Sequence, residues 1–354
     1  MRYTQVLIYA ALLLVALVAA YMSWTHEPPG GKGDVVVIDA DARQLQAVVY
    51  EEEDHTVRVT RREGGDDGIC WGDTRKLSVA PRTPDKVPPV LNPEGEGDDD
   101  SAEPASEEPE EEPEKIEEIK SFRGNKTCDK ILGRFAPMKA IREFELLTDE
   151  KLAEMELTEP VATLKVTTAR GERSFEVGGR SYGTNDYYLR DASSGSVFLV
   201  ESRVIADIKG GSTRLMERSV FDFKKEDAES AQVAVGSNRG SFVQLNRDDS
   251  KTAFWAAADD TSRAHDAADT LLNKALRLRA LSYLTNTPAG LQPMARVEFA
   301  GVDESLGWLE IGMTVDSEGA PIHVVRSSHT SAWVEVSDTM GADVVDGLTE
   351  LFPS

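Results

Sequence analysis

The sequence predicts an α+β protein: two tandem β-β-α-β-β-β-β-α modules with mainly antiparallel sheet, set behind an N-terminal transmembrane helix. Three observations lead there. The chain repeats itself, with Phe175-Glu176-Val177-Gly178 returning as Leu309-Glu310-Ile311-Gly312. Short alternating runs broken by turn residues dominate both copies, and each copy holds one apolar stripe at helical spacing. Residues Gln5 to Met22 carry no charge.

The repeat extends well beyond that tetrapeptide. A constant shift carries Arg190 onto Arg326, Val200 onto Val336, Asp207 onto Asp343, Gly211 onto Gly347 and Leu215 onto Leu351. Upstream, Ile131, Leu132, Ala140 and Ile141 fall on Leu271, Leu272, Ala280 and Leu281, and Asp41, Val49, Val59 and Arg61 on Asp227, Val235, Leu245 and Arg247. The blocks keep their order, and the shift changes only where loops belong. Such a pattern speaks to architecture. The boundaries it predicts are 1–33 for an anchor and spacer, 34–218 for the first module and 219–354 for the second.

The uncharged run is long enough to cross a hydrocarbon layer of ~30 Å as a helix. Tyr21 and Trp24 suit a lipid–water boundary, and Arg2 before the run places the N-terminus in the cytoplasm. A cleaved signal peptide is the competing reading, with Val18-Ala19-Ala20 as its small-residue site. The length of the run favours an uncleaved anchor, and no Cys lies near it for a lipoprotein. Pro28-Pro29-Gly30-Gly31 then reads as a spacer.

The body opens with Val35-Val36-Val37-Ile38 and a turn from Asp39 to Arg43. Strands follow at Gln46–Tyr50 and Thr56–Arg61, where Val57 and Val59 alternate with Arg58 and Thr60. Trp71 closes this unit, as Trp255 does after Ala231–Val235 and Phe242–Arg247. A helix carries the stripe Ile131, Leu132, Phe135, Met138 and Ile141, and its counterpart carries Leu271, Leu272, Ala275, Leu278 and Leu281. Thr148-Asp149-Glu150 starts a shorter helix that Pro160 bounds. Four strands follow at 163–167, 174–177, 186–190 and 196–200, then a helix over 202–208. The second copy repeats them at 296–299, 308–311, 322–326 and 333–336, with a helix near 340–345.

The copies diverge after Trp71. Residues 72–125 contain an insertion with a Pro-rich stretch from Ala80 to Pro93 and an acidic tract from Glu94 to Glu118. That tract holds fourteen Asp or Glu residues and one Lys, about half of the excess behind the net charge of −24. Low hydrophobicity, many prolines and charge of one sign predict disorder there. The remainder has no basic track for nucleic acid. Cys70 and Cys128, the chain's two cysteines, are both in the first copy. Phe254 and Ala268 replace them together in the second, where a short link joins the two positions. A disulfide in an oxidising compartment is one reading of the pair; two buried free thiols are the other.

Leu157-Thr158-Glu159-Pro160, Thr163-Leu164-Lys165-Val166, Phe175-Glu176-Val177-Gly178, Tyr187-Tyr188-Leu189-Arg190 and Val197-Phe198-Leu199-Val200 together resemble domain-of-unknown-function family 4340. The resemblance runs from Val35 to about Arg247 and more weakly to the end. Met155-Glu156-Leu157 stands where many relatives have Tyr-Gly-Leu, and the acidic insertion is outside the pattern. The resemblance implies a bacterial protein with a membrane anchor and an exported body, often associated with ABC exporters of the gliding-motility type. It implies no activity and supplies no functional residues.

Reaction chemistry finds little support. His26, His55, His265, His323 and His329 show no metal-ligand spacing, although His323 and His329 lie near enough to meet across a hairpin. Gly178-Gly179 and Gly210-Gly211 read as turns, and Asp39-x-Asp41 lacks the rest of a calcium loop. The acidic tract reads as a solvated spacer, or as a contact for a basic partner or divalent cations. Trp71, Trp255, Trp308 and Trp333 read as packing residues, and a sugar-stacking platform needs two rings on one surface. The expectation is no catalytic, cofactor-binding or metal residue, and no cofactor. The expected role is a single-pass inner-membrane accessory or scaffold protein with its body in the periplasm. It would touch lipid through the N-terminal helix and a protein partner in a membrane complex. The alternative is a ligand- or polymer-binding module using a groove between the repeats.

Overall fold

The computed structural model describes residues 35–62, 68–79, 115–145, 147–316 and 318–352. The N-terminal run and most of the insertion fall outside them. Among the described residues, no helix is long and apolar enough to cross a membrane.

The strands before the first helix are β1 (Val35–Ile38), β2 (Leu45–Glu51), β3 (His55–Arg62), β4 (Ile69–Val79) and β5 (Lys115–Arg123). Helix α1 (Lys126–Phe135) leads to β6 (Met138–Ala140), β7 (Arg142–Phe144) and α2 (Asp149–Glu154). Next come β8 (Ala162–Thr168), β9 (Gly171–Arg180), β10 (Tyr187–Asp191), β11 (Val197–Val200), α3 (Ser202–Lys209) and α4 (Gly211–Leu215). The second half holds β12 (Ser230–Val235), β13 (Asn238–Leu245), β14 (Phe254–Ala257), α5 (Asp266–Ala275), β15 (Ser282–Tyr283), β16 (Gln292–Ala300), β17 (Ser305–Val315), β18 (Pro321–Ser327), β19 (Val334–Glu335) and α6 (Asp338–Leu351). The result is a mixed α+β fold with mostly antiparallel sheet.

Two compact units interleave along the chain. One takes residues up to Tyr50 together with Asp129–Lys209; the other takes Glu51–Cys128 together with Gly210–Ser354. In the first unit the strand order is β2-β8-β9-β10-β11-β7, with β1 paired to β6 beside it. Alternation along β8 puts Ala162, Leu164 and Val166 inside, where Phe175, Val177, Leu189 and Val200 meet them. Ile131, Leu132, Phe135, Ile205 and Ile208 complete that core. Burying one such side chain contributes roughly 1.5–3 kcal/mol. Arg134 bonds Asp207, pairing α1 with α3.

The second unit contains β5-β4-β3 and an eight-stranded sheet, β14-β13-β12-β16-β17-β18-β19-β15. Helices α5 and α6 pack together, tied by a Lys274–Asp343 ion pair at 3.2 Å. Asp338 opens α6, and Ser337 caps it by accepting from the Met340 N–H at 3.3 Å. His323 on β18 lies so close under α6 that a Cβ at Gly341 would come within 2.2 Å of it. Position 341 therefore requires glycine.

Several boundaries differ from expectation. Trp71 does not close a unit: β4 continues to Val79 and pairs with β5 along its whole length, from Trp71↔Arg123 to Val79↔Lys115. Both ends of the insertion are thus strand. Trp255 likewise sits inside a third strand, β14. The helical stripes were read too long. Helix α1 ends at Phe135, since Pro137 cannot continue it, and Met138 belongs to β6. Helix α5 ends at Ala275, and the stripe's last member, Leu281, is exposed.

Cys70 on β4 and Cys128 on α1 are joined by a disulfide, with Cα atoms 6.0 Å apart. Asn125 holds the start of α1, accepting from the Thr127 and Cys128 N–H groups at 2.8 and 3.2 Å. A Cβ at Gly124 would fall 2.3 Å from Cys128 Sγ, so the chain can pass the bond there only as glycine.

Candidate binding face of the eight-stranded sheet

His323 faces α6, so alternation along β18 turns Arg326, three residues on, to the opposite face. Cross-strand register then fixes its neighbours. Arg326 lies opposite Glu310, Glu310 opposite Arg296, Arg296 opposite Ala234, and Ala234 opposite Arg239. Directly opposed residues share a face. Five strands, β13-β12-β16-β17-β18, therefore present one transverse row: Arg239, Ala234, Arg296, Glu310, Arg326. Trp333, just before β19, extends it.

The charges in this row are coupled. Glu310 takes Arg296 Nη1 on Oε1 at 2.8 Å, and Arg326 Nη2 and Nε on Oε2 at 2.7 and 3.1 Å. Arg296 Nε also donates to Glu298 at 2.9 Å. The Glu298 bond and the contact with Glu310 outweigh partial burial and raise the Arg296 pKa. The Arg296 guanidinium stacks 4.6 Å from the Trp308 ring centre, and that of Arg326 lies 5.6 Å from Trp308 and 5.3 Å from Trp333. Such stacking immobilises the guanidinium planes and leaves their charge intact. Arg239 is held at the rim, where its Nη1 donates to the carbonyls of Gly236 and Asn238, both at 2.8 Å.

A wall encloses the row on one side. Leu291 packs over Gly312, where a Cβ would come within 2.8 Å, and Thr314 donates to the Ala289 carbonyl at 2.8 Å. Leu291, Pro293 and Met294 give this wall an apolar surface. The groove so formed measures about 600 Å³.

The other residues singled out in the sequence go elsewhere. His265 accepts from the Ala268 N–H at the start of α5. His55 lines a separate polar hollow of about 330 Å³ with Asp54, Thr74 and Glu118. His323 and His329 face different partners: His323 lies 3.9 Å from Asp338, and His329 lies 3.9 Å from Asp222 while Arg123 bonds its carbonyl. Burial, with help from Arg123, pushes the His329 pKa down. No group of three or more His, Cys, Asp or Glu is placed to hold a metal ion among the described residues. Arg62 covers Trp71 at 4.1 Å, and Trp255 is fully buried. Asp41 accepts from the Arg43 N–H at 2.8 Å, as the turn reading requires. The arginine row was missed in the sequence. Its one signal there was the repeat that carries Arg190 onto Arg326 and Glu176 onto Glu310.

Residues 124–293 match the model of a domain of unknown function, DUF4340. The DUF4340 match starts at the residue before the α1 cap, later than the Val35 start read from the sequence, and ends inside β16. It contains Ala234 and Arg239 but stops short of Arg296, Glu310, Arg326 and Trp333. No curated protein and no solved structure matches the chain.

Proposed function

We propose that this is a membrane-anchored, exported accessory protein that performs no reaction of its own and holds a protein partner on the open face of its eight-stranded sheet. The observation that carries the reading is the row Arg239, Arg296, Glu310, Arg326. It gathers fixed charge and an apolar wall in one groove, the make-up of a protein-contact surface rather than of a small apolar ligand pocket. The tryptophans beside it argue against a sugar platform, because guanidinium groups occupy their faces.

Two further features belong to this reading. The body is an internal duplication with boundaries near residues 33 and 218. Its support is strand order: β4-β3 corresponds to β14-β13, and β2-β8-β9-β10-β11-β7 to β12-β16-β17-β18-β19-β15. The Arg134–Asp207 and Lys274–Asp343 pairs also occupy matching places. The exported, periplasmic location rests on the uncharged N-terminal run, which would also meet the lipid, and on the joined Cys70 and Cys128. An ABC-type exporter as partner is what the family resemblance implies.

The test is photo-crosslinking in intact membranes, with the reactive residue at position 291 or, as control, at position 165 in the first unit. The reading expects one discrete adduct from position 291 alone, abolished by Arg326→Glu. Equal adducts from both positions, or none, would contradict it. A cytoplasm-only reporter fused after Ser354 should stay silent; a strong signal would reverse the topology.

A further inference from the structure

The row has one irregular place. Along it the residues run cation, methyl, cation, anion, cation. Glu310 shows what the space between two of these arginines accepts: a carboxylate sharing its two oxygens between flanking guanidinium groups at 2.7–3.1 Å. Arg239 and Arg296 flank Ala234 in register, each one strand away. Adjacent strands lie about 4.8 Å apart, so the two flanking positions are ~10 Å apart, as are those of Arg296 and Arg326. Ala234 offers only a methyl as the floor, and it is part-exposed. Arg239 uses Nη1 on turn carbonyls and Arg296 uses Nε and Nη1 on glutamates. Among the described residues, no other hydrogen bond engages Arg239 Nε and Nη2 or Arg296 Nη2.

We infer that the gap above Ala234 is a carboxylate subsite, filled by an acidic side chain of a partner polypeptide. A carboxylate there completes an alternating row of charge, and two guanidinium groups give it charge-assisted hydrogen bonds. The apolar wall of Leu291, Pro293 and Met294 suits a neighbouring apolar side chain, which selects an acidic peptide over a polyanion such as sulfated or phosphorylated glycan. This assignment rests on the protein-contact reading and names its chemistry.

The experiment uses the full chain in detergent and the synthetic peptide Leu-Glu-Leu-Glu, acetylated and amidated, with binding followed by calorimetry. Leu-Gln-Leu-Gln and inorganic sulfate are the controls. The acidic peptide should bind, weaken as salt rises, and lose about tenfold or more in affinity with Arg239→Gln. Ala234→Glu supplies the missing carboxylate from within and should abolish binding; a melting curve shows whether it folds. Should it not fold, Arg239→Gln, exposed near the start of β13, decides alone. Equal binding of the glutamine peptide, full competition by sulfate, or indifference to both variants would overturn the assignment. Failure of the peptide alongside a position-291 adduct in membranes would sink the subsite and leave the contact face standing; loss of both would remove both.

Discussion

Two matched places in the molecule carry the same ion pair to different ends. On β9 and β10, Glu176 faces Arg190 at 3.6 Å, with Thr163 opposite Glu176 on one side and Val197 opposite Arg190 on the other. On β17 and β18, Glu310 faces Arg326, but Arg296 replaces the threonine and Trp333 stands where the repeat puts Val197. A lone half-exposed pair contributes little, ~0–1 kcal/mol. A carboxylate clamped by two arginines, each stacked on indole, forms a rigid charged array. Two differences at the ends of a row thus separate a bland surface from a candidate contact face.

Other matched places differ in the same way, and the largest expected effect lies there. Cys70 is joined to Cys128, where the sequence repeat puts Phe254 and Ala268. Replacing both cysteines with alanine should cost up to about 4 kcal/mol, the chain-entropy value for a loop of this size. Urea melts of the oxidised protein against the double variant measure it, and coincident curves would contradict the estimate.

Asp191 and Ser327 form the next contrast. Asp191 is 1% exposed, bonds Arg173, and accepts from the Ser193 hydroxyl at 2.6 Å and from the Ser193 and Ser194 N–H groups. Burial alone would raise its pKa; the Ser193 and Arg173 bonds prevail and hold it down, at about 2. A depressed carboxylate adds stability above its unfolded pKa near 4 and loses it as pH falls through about 2. Asp191→Asn should therefore cost about 2 kcal/mol at neutral pH and nothing below pH ~2. Ser327, fully buried, donates to the Val220 carbonyl and carries no charge. Ser327→Ala should cost about 1 kcal/mol, equally at acid and neutral pH. Matching acid profiles for the two variants would refute the contrast.

Smaller effects address the row itself. Glu310→Ala leaves two guanidinium groups facing each other and should destabilise by about 1 kcal/mol more than Glu176→Ala. Equal losses in thermal unfolding would mean that the clamp adds nothing to a single pair. Thr163→Arg builds the missing arginine opposite Glu176. A double-mutant cycle with Glu176→Gln should give a coupling of roughly 0.3–0.5 kcal/mol, and zero coupling would show that the indole rings, absent there, are required.

Much of the frame was legible in the chain. Alternation of Val57 and Val59 marked β3, Thr148 marked the start of α2, and paired replacement drew attention to Cys70 and Cys128. The stripes overran their helices because Met138 and Leu278 keep helical spacing after the backbone has turned; they are buried by strand and loop instead. The row was not legible. Its members stand at 234, 239, 296, 310 and 326, and only cross-strand register, set by turns and bulges that one sequence does not reveal, lines them up. Trp308 offered no hint either, since its cover comes from two other strands.

The pairing of β4 with β5 reaches Val79↔Lys115, and the disulfide holds the opposite end of the same hairpin. Residues 79 and 115 therefore pair across the hairpin, with a covalent bolt behind them. A protease that cuts anywhere between the two severs the chain without dividing the molecule. The two pieces travel as one on a non-reducing gel and part only when thiol is added, so a nicked population would pass as intact until its bond is broken.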